Sequence, residues 1–221
     1  MNYSIQYAVM DFEFTNLGRD NLILISGALM GRHSPGLVTK LEGRALLLKE
    51  NRAVTPKEWK DMVHHLVRIF KDKPKTLYPV LAQIYDSDHS TETNLTKKQI
   101  LNLIKNYDVI VLWEGSTDIK ILDALGVPHI ALSMRGWDVD SNGKFYLQLL
   151  YGKTIIVSHY IGDITKNGRA LCLTEAHGLT CGGDHGCIEA HNPVTDVIWS
   201  GCLFRYLRLR YSVQIDDAIS G

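Results

Sequence analysis

Cysteine is absent from the first 171 residues, and all four copies (Cys172, Cys181, Cys187 and Cys202) fall in the 31 residues that follow. In a reducing compartment, such clustering among histidines points to metal before it points to disulfides. Excess charge is also absent, with 24 basic and 24 acidic residues giving a formal net charge of zero. Nucleic-acid binders commonly carry a positive excess, so the balance lends that role no support. It does not exclude the role either, because bound cations can share in neutralising phosphate. No stretch reaches the roughly 18 consecutive apolar residues of a transmembrane helix. The first six residues show neither the basic run nor the apolar run of a secretory leader, and the expectation is a cytosolic protein.

What remains is an ordinary globular composition, 45% hydrophobic and 22% charged over 221 residues. That suffices for one well-buried domain and is short for two, so residues 1–221 read as a single domain. Strands are expected over 5–14, 22–30, 37–49, 108–113, 128–132, 145–150 and 154–160. Thr55-Pro56-Lys57-Glu58 is a capping box that opens a helix over 56–71. Residues 84–95 read as a polar loop. Further helices are expected from Thr96 to about Asn106, from Thr117 to a stop at Gly126, and onward from Asn192-Pro193. The alternation of strands and helices predicts an α/β fold with a mixed sheet flanked by helices.

The chemistry lies in a spaced set of acids. In the strand Tyr7–Thr15, Asp11 and Glu13 are two apart and share a face, while Phe12 points the other way. Two carboxylates side by side in a sheet repel each other and are costly to bury without a cation. Asp118 opens a helix directly after a strand end, where a side chain can be aimed into a cleft; Glu114, four residues earlier, is a rival. His191 and Asp196 straddle the start of the last helix. There an acid meets the helix dipole favourably, and a neutral histidine is suited to taking a proton. Four carboxylates and a histidine are the equipment of a two-metal phosphodiester hydrolase. Hard Mg²⁺ or Mn²⁺ prefers such oxygen donors.

The order Asp11-x-Glu13, Asp118, His191-x4-Asp196 resembles the DEDDh class of 3′-to-5′ exonucleases. The resemblance runs from residue 11 to 207 and implies a ribonuclease H-like fold. It also implies two Mg²⁺ (or Mn²⁺) ions on Asp11, Glu13, Asp118 and Asp196, with His191 as general base. His177, Cys181, His185, Cys187 and Cys202 form a second set, soft and borderline ligands suited to one tetrahedral, structural zinc. That zinc would staple the segment 177–202, a loop with four glycines over 178–186.

Zinc ligands threaded on both sides of His191-x4-Asp196 resemble the second zinc finger of the nidovirus proofreading exoribonucleases. On that pattern His177, Cys181, Cys187 and Cys202 are the ligands, with His185 an alternative to Cys187. The family usually has Glu where this chain has Asp118. Its first zinc finger has no counterpart, since residues 119–171 hold no cysteine and two histidines. The family's methyltransferase half has none either, and the chain resembles a stand-alone member from the torovirus side. The resemblance implies RNA with a 3′ end as substrate, an activating protein or other viral replication proteins as partners, and the host cytoplasm, at replication complexes, as location. Two alternatives from the same residues are a zinc-containing RNA-binding scaffold without activity and a relative that trims DNA or oligonucleotides.

The remaining residues read as structure. His64 and His65 are adjacent on a helix and point about 100° apart. Arg205, Arg208 and Arg210 fit a solvated helix end. Phe12 and Phe14 fit core packing beside the acids, or a wedge against the 3′ base. Asn16 could reach a ribose hydroxyl, by analogy alone.

Overall fold

The computed structural model describes residues 5–16, 22–31, 37–41, 43–89, 95–126, 129–165, 169–182 and 191–220. Among these the chain forms an α/β fold: one mixed sheet of ten strands flanked by helices. β1 (Tyr7–Asn16) lies near its middle, antiparallel to β2 (Leu22–Gly31) and parallel to β6 (Val109–Trp113). β7 (Ile130–Asp138) runs parallel to β6 and continues as an antiparallel meander through β8 (Lys144–Tyr151) and β9 (Thr154–Asp163). Short strands finish the sheet: β3 (Val38–Leu41) on β2, β4 (Leu46–Leu47) and β5 (Arg52–Ala53) at one edge, and β10 (Ala170–Leu171) on β7.

Alternation along β1 sorts the core. Val9 faces α5 (Leu173–Thr180) and α6 (Pro193–Ser220), together with Val111, Met134, Phe145 and Leu147. Met10 and Phe12 face the other way, toward α3 (Lys97–Ile104) and α4 (Ser116–Leu125). A third cluster seats α1 (Pro56–Phe70) and α2 (Pro74–His89) on Ile23 and Ile25 of β2. The Thr55–Glu58 capping box forms as its residues require, Thr55 N–H donating to Glu58 Oε2 at 2.8 Å and Glu58 N–H to Thr55 Oγ1 at 3.3 Å. α4 stops at Gly126, which adopts the left-handed conformation (φ 64°) that glycine enters without strain.

Three expectations need correction. The polar loop expected over 84–95 is helical as far as His89, because Leu77, Val80 and Ile84 recur on one face and bury against α1 and β2. The strand expected over 37–49 is two strands, β3 and β4, separated near Gly43, whose φ of 152° interrupts extended backbone. The strand expected to end at Leu132 continues to Asp138, because its second half gains β8 as an antiparallel partner. α5 was not expected at all, since its glycine and its metal-ligand residues hide the period.

Phe204 of α6 is 1% exposed and meets Tyr7 of β1 edge to face, ring centroids 4.8 Å apart. Truncating it, Phe204→Ala, should lower unfolding free energy by about 3–5 kcal/mol in urea titration, and a loss below about 1 kcal/mol would show that α6 is not held on β1 by this contact.

Candidate metal centre

β1 pairs with β6 only at Tyr7, Ala8 and Val9, so its second half runs on beyond that partner. Asp11 and Glu13 stand on this free half, just before a register shift between Glu13 and Phe14. Such a bulge bends a strand and re-aims its side chains. Phe12, between the acids, is 3% exposed and packs into the α3–α4 cluster, which settles its role as core. β6 ends at Trp113, Glu114 turns the chain with a positive φ of 48°, and α4 begins at Ser116. The first turn of α4 brings Asp118 against β1, where its Oδ1 accepts from Phe12 N–H at 3.1 Å. Asp196 arrives from the opposite face on the first turn of α6, and its carboxylate accepts from the backbone N–H of His191.

The structure therefore unites what the sequence spaces by more than 180 residues. One ligand atom each from Asp11, Glu13 and Asp196 lies within 4.8 Å of the others. Asp118 adjoins this trio closely enough for its charge to act on Asp11 and Glu13. Burial, then the charges of Asp118 and Asp196, hold the Asp11 carboxyl well above its ordinary range. Glu13 is raised by burial and then by Asp11, Asp196 and Asp118. Burial raises Asp118 to about 6 against the hydrogen bonds from its own backbone and from Phe12, and raises Asp196 to about 7 against that from His191. His191 itself sits at a positive φ of 63°, and burial lowers its pKa, favouring the neutral ring. Glu114, the rival ligand, is not in the trio; burial raises its carboxyl while nearby Arg135 lowers it.

Magnitudes decide what this arrangement can hold. Two carboxylates 4.8 Å apart repel by about 3–4 kcal/mol at an effective dielectric near 20. Three such pairs approach about 10 kcal/mol, within the roughly 5–15 kcal/mol that stabilises a whole domain. The cluster must take up protons or cations. Asp11 Oδ2 is buried without a hydrogen-bond partner, the condition of an oxygen built for a cation. These residues fit a hard divalent metal.

A second group joins His177 of α5 and Cys181, which caps that helix, to Cys202 of α6, again with ligand atoms within 4.8 Å of one another. His177 is 4% exposed and stacks on Trp199 at 5.7 Å, an aromatic support that the sequence did not single out. Cys202 is pushed up by its hydrogen bond with Cys181, and then by burial. A metal bound here would have to displace the Cys202 thiol proton. His185 and Cys187, the two candidates for a fourth ligand, lie outside the described residues. Cys172 is exposed and starts α5, apart from this group. Arg208 pairs with Asp216 at 3.2 Å and lies over Tyr7, while Arg210 lies over Tyr206, so both serve α6 rather than the acids.

No protein-family model, curated protein or solved structure matches the chain.

Two outcomes follow from the two groups. A carboxyl with a raised folded pKa contributes stability below its unfolded value and loses it as pH climbs through the folded value. For Asp196 that window runs from its ordinary 3.8 to about 7. Metal-free protein should thus melt lower at pH 8 than at pH 5 through this group. Asp196→Asn should raise the pH 8 melting temperature and abolish the further rise that Mg²⁺ produces in the parent. Parent and variant melting alike at pH 8, with and without Mg²⁺, would refute the cluster's electrostatics. For the second group, elemental analysis should find one tightly held zinc per chain, and Cys202→Ser should lose it together with thermal stability. A variant that keeps full zinc content would remove Cys202 from the ligand set.

Proposed function

We propose that the chain is a metal-dependent 3′-to-5′ exoribonuclease with a ribonuclease H-like sheet, releasing nucleoside 5′-monophosphates during proofreading of viral RNA. The observation that carries this reading is the meeting of Asp11, Glu13, Asp118 and Asp196 from three separate elements around the unpartnered Asp11 Oδ2. A strand order with antiparallel β2 beside β1 and parallel β6 on its other side supports it, as does the likeness of the motifs to the DEDDh class. Two Mg²⁺ or Mn²⁺ ions, held by these four carboxylates, would supply Lewis acidity and neutralise charge that builds on the phosphate.

The protein's own contribution is placement. Phe12 N–H and the α4 first turn fix the Asp118 carboxylate, and His191 N–H fixes that of Asp196. His191 is tied to Asp196 through its backbone N–H, and its ring, which burial favours in the neutral form, is suited to accept the proton of an attacking water. The same proton then passes to solvent as the ring returns to neutrality. The His177–Cys181–Cys202 group would carry a structural zinc that joins α5 to α6, with Cys187 or His185 completing the set.

RNA carrying a 5′ label should shorten progressively from its 3′ end in Mg²⁺ and stay intact without it. Glu13→Ala and His191→Ala should each slow the reaction by about a hundredfold or more. Degradation by both variants at the parental rate would sink the assignment. Tight zinc with no magnesium-linked cleavage would mark a scaffold, and cleavage of DNA in preference to RNA a trimming relative.

A further inference from the structure

The acid cluster shares its face of the sheet with an arginine at the start of β10. Val9 packs toward α5 and α6, and Asp11 and Glu13 follow it at two-residue steps, so their side chains stand on that side. β8 holds one edge of β7 at Gly136 and Trp137, so β10, which pairs with the same two residues, lies on the β6 edge. It takes the row that β6 vacates at Trp113, between β7 and the free half of β1. Leu171 is 2% exposed within the α5–α6 cluster, and a Cβ on Gly136 would meet its Cβ at 2.8 Å. Arg169, two residues before Leu171, is therefore carried on the face of the acids.

Its level along the strands is equally defined. Val9, Val111 and Leu132 share a row, which carried forward sets Glu13 level with Gly136 and Leu171. Arg169 is level with Asp138, whose N–H donates to its carbonyl at 3.1 Å. It stands two residues, about 7 Å, beyond Glu13 along the strand direction and one row across. β1, β6 and β7 carry one other basic residue, Arg135, and alternation puts that one on the opposite face.

Arg169 lines a cavity of about 520 Å³, together with Ser141 and Asn142 of the β7–β8 turn and Thr165 just past β9. Asp138 also borders it but is 4% exposed and engaged by the turn, accepting from Asn142 N–H at 3.3 Å and Gly143 N–H at 3.0 Å. Asn142 Oδ1 accepts from Lys144 N–H at 3.0 Å, which leaves the Asn142 amide N–H groups to donate. The Arg169 side chain is exposed, and among the described residues it has neither an ion pair nor a hydrogen bond.

Charge decides what such a site takes. The chain is neutral overall, and four clustered carboxylates repel every phosphate that bound cations do not offset. The acids with their cations serve the scissile phosphate, and the next one along the strand needs a positive group further on, on the same face. A guanidinium meets phosphate with two parallel N–H donors. The cavity beside it is of the size that small ligands occupy. We propose that Arg169 binds the phosphate adjoining the scissile one in the substrate strand, with the attached nucleotide in this cavity, an inference that rests on the nuclease reading above.

Short substrates isolate this role. A dinucleoside monophosphate holds the scissile phosphate alone, whereas a trinucleoside diphosphate adds its neighbour. Arg169→Gln should raise KM for the longer substrate about tenfold more than for the shorter, with kcat little changed. Arg169→Lys should recover most of that loss, and Thr165→Phe, which fills the cavity, should act in the same direction as Arg169→Gln. Binding gives a readout apart from cleavage, using a fluorescent twelve-nucleotide RNA with Mg²⁺ in the slow-cleaving His191→Ala background. There Arg169→Gln should flatten the slope of log affinity against log salt by about 0.7, the loss of one phosphate contact. Equal losses on both substrates, no loss on either, or an unchanged salt slope would each overturn the phosphate site. A parent that cleaves neither substrate, while Arg169→Gln still flattens the slope, would keep the phosphate site and remove the nuclease reading. A parent that neither cleaves nor binds RNA would remove both.

Discussion

Mutual repulsion among buried carboxylates is the constraint on which the rest of this structure turns. Nothing in sheet or helix formation asks for Asp11, Glu13, Asp118 and Asp196 to converge, and their convergence opposes folding whenever they are ionised together. The surrounding architecture is what overrides it: Val9, Met10 and Phe12 bind β1 to helices on both faces, so the acids cannot separate without opening two core clusters. Burial is the largest cause of every raised carboxyl here, ahead of the neighbouring charges. The fold thus withholds water from oxygens that then need some other positive partner. Carboxylate oxygens gathered in this way suit a small hard cation.

The local devices that aim these acids are backbone devices. A bulge follows Glu13, and two of the non-glycine residues with positive φ, Glu114 and His191, stand where the chain turns into α4 and α6. Two N–H donors, from Phe12 and His191, go to carboxylates instead of to main-chain oxygens. Strain and diverted hydrogen bonds gathered at one place are characteristic of functional sites, where rigidity around the strained residues maintains it. Each of the two loop–helix junctions thereby supplies one acid from one face of the sheet.

Much of this was legible in the sequence because the governing signals are short-range. Strand alternation put Asp11 and Glu13 on one face, the Thr55 box opened α1, Gly126 closed α4, and Asn192-Pro193 opened α6. What escaped has physical reasons. α2 ends in Asp86-Ser87-Asp88-His89, residues that favour turns, and only tertiary burial of Leu77, Val80 and Ile84 draws them into a helix. The length of β7 depends on β8, a partner that alternation within β7 cannot announce. The Phe12 N–H bond to Asp118 spans 106 positions, and the support of His177 by Trp199 is a packing outcome, so neither leaves a local trace.

The two metal-fitted groups are mechanically coupled through α6. Asp196 and Cys202 lie six residues apart on that helix, about 9 Å along its axis. Cys202 meets His177 of α5 and the capping Cys181, so a metal there would fix α5 to α6 within two turns of the acid that α6 delivers. Tyr206 and Tyr211 tie the same helix to β9 by hydroxyls on the two ring nitrogens of His159, at 3.0 and 2.8 Å, just where Tyr211 departs from helical geometry. α6 is therefore clamped beyond Asp196 at successive points, and the carboxylate it carries has little freedom to retreat from its neighbours. A helix held only by its apolar stripe could yield a fraction of an ångström to relieve the repulsion. This one is clamped against doing so, so the acid cluster, rather than the helix, must adapt by taking up protons or a cation.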